Sequence, residues 1–239
     1  TFSISVSESK SLEYIFINSH STLTSEVRFI KSDEPLSEFQ LIQKRTTGLE
    51  YSVNQFEDHF YIVNNKDNSF NYKISKVSIT DPTYKNWADI MEHRESVLIE
   101  DLDIFKDYWV VTERAQGLTK LRVQSWDGSE NYFIPVEGET YDIYTGLNPS
   151  FNTTKLRYGF TSLKTPSSVL EFDMLYKNKK LLKQKDVIDN NFDIENYIEK
   201  RVFAESRDGI SIPISLIYKK DIDLNPETPL LLYAYGSYG

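Results

Sequence analysis

Pairs of strand-like runs with alternating hydrophobic and polar positions recur along the chain. Each pair is joined by a short polar loop, and the four pairs occupy residues 12–30, 59–79, 107–126 and 155–174. In the first pair, Leu-Glu-Tyr-Ile-Phe-Ile and Ser-Glu-Val-Arg-Phe-Ile lie on either side of the loop. Alternation with a period of two residues is typical of strands that bury one face. The pattern therefore predicts a mainly β protein.

The spacing of the pairs indicates a repeated unit. An aromatic residue marks the first strand of each pair, and these markers are Tyr14, Tyr61, Trp109 and Tyr158. They recur about every 45 to 50 residues, close to the length of a β-propeller blade. Further strands are predicted ahead of the later markers, at residues 48–56, 97–105 and 140–144, which allows four strands per unit. The sequence thus predicts a partial β-propeller of about four blades, with a β-sandwich as the alternative.

The character of the chain changes after Gln184. The residues that follow are mostly polar, as is typical of a linker, and we place a domain boundary near residue 195. The predicted domains are residues 1–195, the partial propeller, and residues 196–239, the beginning of a second domain. Within the first domain, Asp81-Pro82 suits either the start of a short helix or an ordered loop between blades.

The second domain is predicted to begin with a hairpin. Strand-like runs at residues 199–205 and 210–218 flank Asp208-Gly209, which is a strong hairpin signal. Pro213 places the second run at a sheet edge or at a bulge. Residues 229–235 form a continuous apolar run, which is expected of a strand covered on both faces in an α/β sheet.

The composition excludes several classes of function. The 239 residues are 39% hydrophobic and include 16 Tyr and 14 Phe, enough for a packed core rich in strands. The net charge is -9 and Lys and Arg do not cluster with stacking aromatics, so nucleic acid is a poor partner. There is no cysteine, and His20, His59 and His93 lack ligand spacing, so neither a metal site nor a cofactor is predicted.

No run in the sequence is long and apolar enough to cross a bilayer, so a membrane is not expected as a partner. A cytoplasmic location is expected, or a periplasmic one if a signal peptide precedes the chain.

The end of the chain resembles a known family. Residues 201–218 read Arg-Val-Phe-Ala-Glu-Ser-Arg-Asp-Gly-Ile-Ser-Ile-Pro-Ile-Ser-Leu-Ile-Tyr, and residues 229–239 read Pro-Leu-Leu-Leu-Tyr-Ala-Tyr-Gly-Ser-Tyr-Gly. Both segments resemble the entry into the peptidase domain of the prolyl oligopeptidase family of serine peptidases, most closely oligopeptidase B. Blade segments such as Gly117-Leu-Thr-Lys-Leu-Arg-Val are similar too. One departure is Ala234, where the family usually has glycine.

The resemblance implies a serine endopeptidase that cleaves short peptides after Arg or Lys. It also implies an α/β-hydrolase domain capped by a seven-bladed propeller, which gates access to the active site. In this family the second tyrosine of the Tyr-x-Tyr-Gly motif, which matches Tyr235, donates its hydroxyl to the oxyanion hole. A preorganised donor there stabilises the negative charge that develops on the carbonyl oxygen. The alternative for Tyr235 is a buried tyrosine at a strand end with a satisfied hydroxyl.

The catalytic triad of such a hydrolase is not in this sequence. The family architecture requires a Gly-x-Ser-x-Gly elbow followed by an acid and a histidine. The chain has no such elbow and no histidine after His93. Gly128-Ser129 is interpreted as a hairpin turn, and Gly236-Ser237 as part of the tyrosine motif. The chain alone is therefore expected to be inactive.

Truncation at both ends is the expectation from the same pattern. Four blades are short of a closed ring, and the apolar run at residues 229–235 would lack covering helices. The exposed sheet edges are expected to be covered by a second copy of the chain or by rearranged terminal segments.

Two further groups of residues are candidates for binding. The acidic run Glu100, Asp101 and Asp103 is either a patch for a basic peptide or the solvated face of an alternating strand. Near strand ends, Arg28, Arg122 and Arg157 would either contact a substrate carboxylate in the propeller channel or be solvated. A non-catalytic propeller that binds a peptide or a protein is the alternative function, although the tyrosine motif favours the peptidase.

Overall fold

The computed structural model describes residues 2–189 and 191–236. Within these residues the chain forms four four-stranded antiparallel sheets and one two-stranded hairpin. In each four-stranded sheet the strands lie side by side in chain order. Separate four-stranded sheets repeated in this way are the blades of a propeller. The predicted partial β-propeller is therefore confirmed, and the sandwich is not the fold.

The strands agree with the predicted repeat. The first blade contains β1 (Ser3–Glu8), β2 (Tyr14–Ser21), β3 (Thr24–Lys31) and β4 (Gln40–Gln43). The second blade contains β5 (Tyr51–Phe56), β6 (His59–Asn64), β7 (Lys73–Ser78) and β8 (Ala88–Met91). The third blade contains β9 (Val97–Ile104), β10 (Tyr108–Ala115), β11 (Leu118–Ser125) and β12 (Asn131–Phe133). The fourth blade contains β13 (Tyr141–Thr145), β14 (Lys155–Ser162), β15 (Ser168–Asp173) and β16 (Asn178–Gln184). The hairpin consists of β17 (Tyr197–Glu205) and β18 (Ser211–Lys219).

The hydrophobic core lies between neighbouring blades. In β6, Phe60 and Ile62 pack in the cluster shared with the first blade, whereas Tyr61 and Val63 pack in the cluster shared with the third. A third cluster joins the third and fourth blades. Successive side chains of a strand point to opposite faces. A strand that packs against a neighbouring blade on each side must therefore be apolar on both of its faces. This explains why Phe60-Tyr61-Ile62-Val63 is a continuous apolar run.

The predicted hairpin turns are confirmed. Gly128 has φ of 75° and its N–H donates to the Ser125 carbonyl between β11 and β12. Gly209, with φ of 80°, lies in the turn between β17 and β18. Pro213 pairs with Phe203 in this two-stranded sheet, in which each strand is an edge, as its sequence position predicted.

Two sequence expectations need correction or refinement. The sequence of the Asp81-Pro82 segment suits either a short helix or a loop. The structure has a loop with one 3-10 turn, Tyr84–Asn86. Residues 229–235 form no strand, and the side chain of Leu231 is 91% exposed. An apolar strand buried on both faces needs neighbouring strands and covering layers, and the described residues supply neither at this segment.

The predicted boundary near residue 195 stays a prediction. The described residues between β16 and β17 form neither helix nor strand, apart from a 3-10 turn at Ile194–Asn196. Among the described residues, no helix is long and apolar enough to span a membrane.

Candidate functional site

The β17–β18 hairpin is attached to one end of the third and fourth blades. Glu199 in β17 accepts hydrogen bonds through Oε1 from the Ser162 hydroxyl at 2.6 Å and from the backbone N–H of Lys164 at 2.5 Å. The backbone N–H of Arg201 donates to the Glu139 carboxylate at 3.0 Å, and its guanidinium donates to the Gln116 carbonyl. Polar contacts thus fix the hairpin to the loops at this end of the blades.

The turn between β10 and β11 makes this close approach possible. Gln116 and Gly117 both have positive φ, at 51° and 74°, as two-residue hairpin turns of the primed type require. A Cβ at Gly117 would lie 3.2 Å from the Arg201 guanidinium. Glycine at this position therefore serves both the turn and the approach of the hairpin.

Tyr235 lies after the hairpin in a segment without regular structure. Within the described residues Tyr235 is 72% exposed. Gly236 is described, whereas Ser237 and the remaining residues of the motif lie outside the described residues. The oxyanion role of Tyr235 stays a prediction.

The acidic run on β9 is divided among separate partners. Asp103 pairs with Lys10 at 2.6 Å, and Glu100 pairs with Arg114 at 2.5 Å. Asp101 accepts a hydrogen bond from the backbone N–H of Leu102. Burial raises the pKa of Asp103, against the effect of the Lys10 ammonium, and burial lowers the pKa of Lys10. Glu100 and Asp101 are exposed and Asp103 is held by Lys10, so the run is not one open patch and the solvated strand face is favoured.

The three candidate arginines are not brought together by the fold. Arg28 pairs with Glu26 at 3.2 Å, and Arg157 approaches Glu171 at 3.8 Å. Both are surface pairs on different blades, which favours the solvated role for these two residues.

Arg122 takes part in a buried ionic cluster instead. It pairs with Glu113 at 2.7 Å, and Arg94 pairs with the same carboxylate at 2.8 Å. Burial acts to raise the pKa of Glu113, but hydrogen bonds from Arg122 and Arg94 outweigh it and hold the pKa below its ordinary value. The charge of Arg122 is thus already used to stabilise a buried carboxylate.

The histidines do not form a site. Within the part of the chain that the structure describes, no group of His, Cys, Asp and Glu side chains could hold a metal ion. His59 contacts Asp58, and His93 packs against the ring of Phe70.

Two cavities were not foreseen from the sequence. One, of about 350 Å³, lies beside the hairpin and is lined by Tyr158, Phe160 and Glu199 among others. The other, of about 590 Å³, lies between the second and third blades and is lined by Phe56, Tyr61 and Trp126 among others. Aromatic richness was the available signal, but it could not tell which rings would line a cavity and which would fill the core.

Comparison with known proteins gives consistent results. A family model described as the N-terminal β-propeller domain of prolyl oligopeptidase matches residues 1–185. Dipeptidyl aminopeptidase BI of Pseudoxanthomonas mexicana is 34% identical over 240 residues, which cover the whole chain and 33% of that relative. Protease 2 of Moraxella lacunata is 29% identical over 239 residues, which cover the whole chain and 34% of that relative.

A solved structure is similar over nearly the same span. Oligopeptidase B from Trypanosoma brucei with covalently bound antipain, in its closed form, matches with a TM-score of 0.83 and 25% identity. The match covers 93% of this chain and 33% of that one. The chain thus spans about a third of the length of the relatives that it matches.

Proposed function

This chain belongs to the prolyl oligopeptidase family of serine peptidases, through the N-terminal β-propeller domain of that family, and we propose that the protein carrying these blades is a serine endopeptidase that cleaves short peptides after Arg or Lys. The supporting observation is the extent of the similarity. The family model ends at residue 185, but the similarity to both curated relatives covers the whole chain, including the hairpin and the tyrosine motif. A propeller that serves only for binding has no need of these later segments.

In this proposal the blades gate access to an active site on the side of the hairpin. The hairpin is already held at one end of the blades by Glu199 and Arg201. A peptidase domain continuing from it would lie over that end, so that substrates would have to pass the blades or an opening beside them. Short peptides would enter, and folded proteins would be excluded by size.

The nucleophile, acid and base would come from a peptidase domain, because residues 1–239 contain no Gly-x-Ser-x-Gly elbow. Tyr235 would supply one oxyanion-hole donor. We expect the 239 residues on their own to hydrolyse no peptide.

A second candidate activity follows from one relative. The relative with 34% identity is named a dipeptidyl aminopeptidase, an enzyme class that removes dipeptides from a free amino terminus. The two activities differ in what they require of the substrate. An endopeptidase accepts a blocked amino terminus, whereas a dipeptidyl aminopeptidase needs a free one.

The test uses the protein isolated from its native source. A serine-directed activity probe would be applied, and the mass of the labelled chain would be measured against that of the 239 residues. Labelling of a longer chain that cleaves an N-acylated arginine amide would support the endopeptidase. Labelling with cleavage only of unblocked dipeptide amides would support the dipeptidyl aminopeptidase. No labelling, with an intact mass equal to that of these residues, would favour the non-catalytic binding module.

A further inference from the structure

The cavity between the second and third blades lies at the opposite end from the hairpin. β11 begins at Leu118, next to the turn that contacts Arg201, and ends at Ser125, which lines the cavity. The cavity is therefore formed by the blades alone.

Stacked aromatic rings form one wall of this cavity. The rings of Phe56 and Trp126 lie parallel, with centroids 3.9 Å apart and planes inclined by 3°. Tyr61 meets Trp126 edge to face, with centroids 4.8 Å apart. Phe56 and Tyr61 come from the second blade and Trp126 follows β11 of the third, and the stack holds the wall in a fixed geometry. A rigid aromatic wall is a good surface for a guanidinium or ammonium group.

The hydroxyls of two tyrosines at the cavity lack a protein partner. Tyr61 and Tyr108 line the cavity and are only 4% and 6% exposed. Neither hydroxyl makes a hydrogen bond to any residue that the structure describes. Both hydroxyl oxygens keep some solvent-accessible surface, so they are available to a ligand that enters the cavity.

The charges acting on the two hydroxyls are mainly negative. Burial, followed by the carboxylates of Glu57 and Asp58, raises the pKa of Tyr61 to about 12. Burial and the carboxylates of Glu130, Asp107 and Asp173 raise the pKa of Tyr108, against the effect of Lys177. The local potential therefore favours a cation.

The charged residues of the rim are not fully neutralised. Glu130 pairs with Lys177 at 2.6 Å, but Glu57 and Asp107 have no ion-pair partner among the described residues. Asp127 receives hydrogen bonds from Ser125 and Ser129. Lys76 and Lys106 also line the cavity, and the Lys76 ammonium lies 5.7 Å from the centroid of the Tyr61 ring. Carboxylates outnumber ammonium groups on the lining of the cavity. Of these carboxylates, Glu57 and Asp107 are the ones free to hold a ligand.

We propose that this cavity binds the cationic side chain of a basic peptide. The guanidinium or ammonium group would lie against the aromatic wall, with the Glu57 and Asp107 carboxylates as its charge partners and the tyrosine hydroxyls as further hydrogen-bonding groups. The volume of about 590 Å³ is in the range of ligand sites, roughly 300 to 1,000 Å³. This is a binding site on the blades, and it goes beyond the proposed cleavage activity because it requires no hydrolysis.

Calorimetric titration of the 239-residue chain tests the proposal directly. The probes are N-acetyl-arginine amide and N-acetyl-citrulline amide, which have nearly the same shape but differ in charge. We expect the arginine compound to bind at least about tenfold more tightly, which corresponds to about 1.4 kcal/mol. Equal binding of the two compounds, or no binding of the arginine compound, would overturn the proposal.

Variants locate the binding within the molecule. We expect Glu57→Gln combined with Asp107→Asn to weaken arginine binding about tenfold, while Glu92→Gln combined with Glu95→Gln, a matched pair of exposed carboxylates away from the cavity, leaves it unchanged. Thermal unfolding of all variants establishes that each is folded. Equal weakening by both pairs would indicate attraction by net charge alone and would reject the site. Since no cleavage is measured, failure here is independent of failure of the proposed peptidase activity.

Discussion

The ionic cluster around Glu113 shows how single residues are committed to structure. Glu113 is buried in the third blade, and its carboxylate is shared by Arg94 and Arg122. A buried carboxylate is stable as an ion only with such partners, because the loss of hydration is otherwise uncompensated. Substitution of either arginine should therefore affect the stability of the blade.

Arg122→Ala is expected to lower the free energy of unfolding by about 2 to 3 kcal/mol, since it leaves Glu113 with one arginine partner. Arg157→Ala is the matched control, because Arg157 lies at the surface 3.8 Å from Glu171 and should cost less than about 0.5 kcal/mol. Urea unfolding followed by circular dichroism measures both. Similar losses for the two variants would contradict the structural role of Arg122.

The lowered pKa of Glu113 predicts that the stability of the protein depends on pH. The pKa of Glu113 is lower in the folded state than its ordinary value of about 4.3. The ionised Glu113 carboxylate therefore contributes its full stabilisation at a pH above the ordinary pKa. This contribution is lost as the pH falls through the lower pKa of the folded state. Urea unfolding from about pH 7 to about pH 3 should show a shallower acid-side loss of stability for Glu113→Gln than for the unsubstituted chain, although the variant starts less stable. Parallel curves would show that Glu113 does not contribute to the acid sensitivity.

Tyr235 is the residue on which a catalytic prediction can be made. In the whole protein, Tyr235→Phe should lower kcat about 100- to 1,000-fold with little change in KM, because an oxyanion donor acts in the transition state and not in substrate binding. Tyr233→Phe, in the same motif, is the control and should retain most of the activity. The oxyanion role would be excluded if the two variants behaved alike in steady-state kinetics.

At the scale of secondary structure, the turn between β10 and β11 couples the blades to the hairpin. Gly117 and Gly128 have nearly equal φ, 74° and 75°, but a Cβ would meet the Arg201 side chain at Gly117 and nothing within 4 Å at Gly128. A comparison of substitutions at the two glycines therefore distinguishes the effect of backbone strain from the effect of contact with the hairpin.

Alanine at either glycine should destabilise the protein by about 1 kcal/mol through positive φ. Gly117→Ala should in addition displace Arg201 from the Gln116 carbonyl and raise amide hydrogen exchange in β17 about tenfold, which corresponds to about 1.4 kcal/mol of local stability. Exchange measured by mass spectrometry distinguishes the two variants. If β17 were equally protected in both, the contact would not hold the hairpin in place.

At the scale of the whole molecule, the first strand of the first blade is exposed and carries apolar residues. In the described part of the chain β1 pairs only with β2, and its apolar residues Ile4 and Val6 are 72% and 70% exposed. Exposed edge strands with apolar side chains readily pair with other chains. The expectation that a second copy covers this edge is thus a specific proposal about the 239-residue chain.

Sedimentation velocity should show concentration-dependent association of this chain. Val6→Lys should reduce the association, because a lysine on an edge strand opposes pairing with another chain. Ile188→Lys, at a fully exposed loop position, is the control and should have no effect. A chain that stays monomeric at all concentrations would reject this proposal.

Much of the architecture could be read from the sequence because it depends on local rules. The period of two residues marks strands, the marker aromatics give the blade length, and Asp-Gly pairs specify the turns at Gly128 and Gly209. The strand predicted from the continuous apolar run at residues 229–235 is wrong because it depends on non-local contacts. A run of that kind becomes a buried strand only if other strands and helices surround it.

The sequence by itself thus determined the blade fold, the hairpin and the family resemblance. The tertiary structure alone decided that Arg122 and Arg94 share Glu113, that Glu199 and Arg201 fix the hairpin to the blades, and that Phe56 stacks on Trp126 beside a cavity. Glu113 and Arg122 lie on the paired strands β10 and β11, but the other contacts join different blades or join the hairpin to the blades. Strand periodicity specifies which face of a strand is buried, but the partner across that face is set only when the blades pack together.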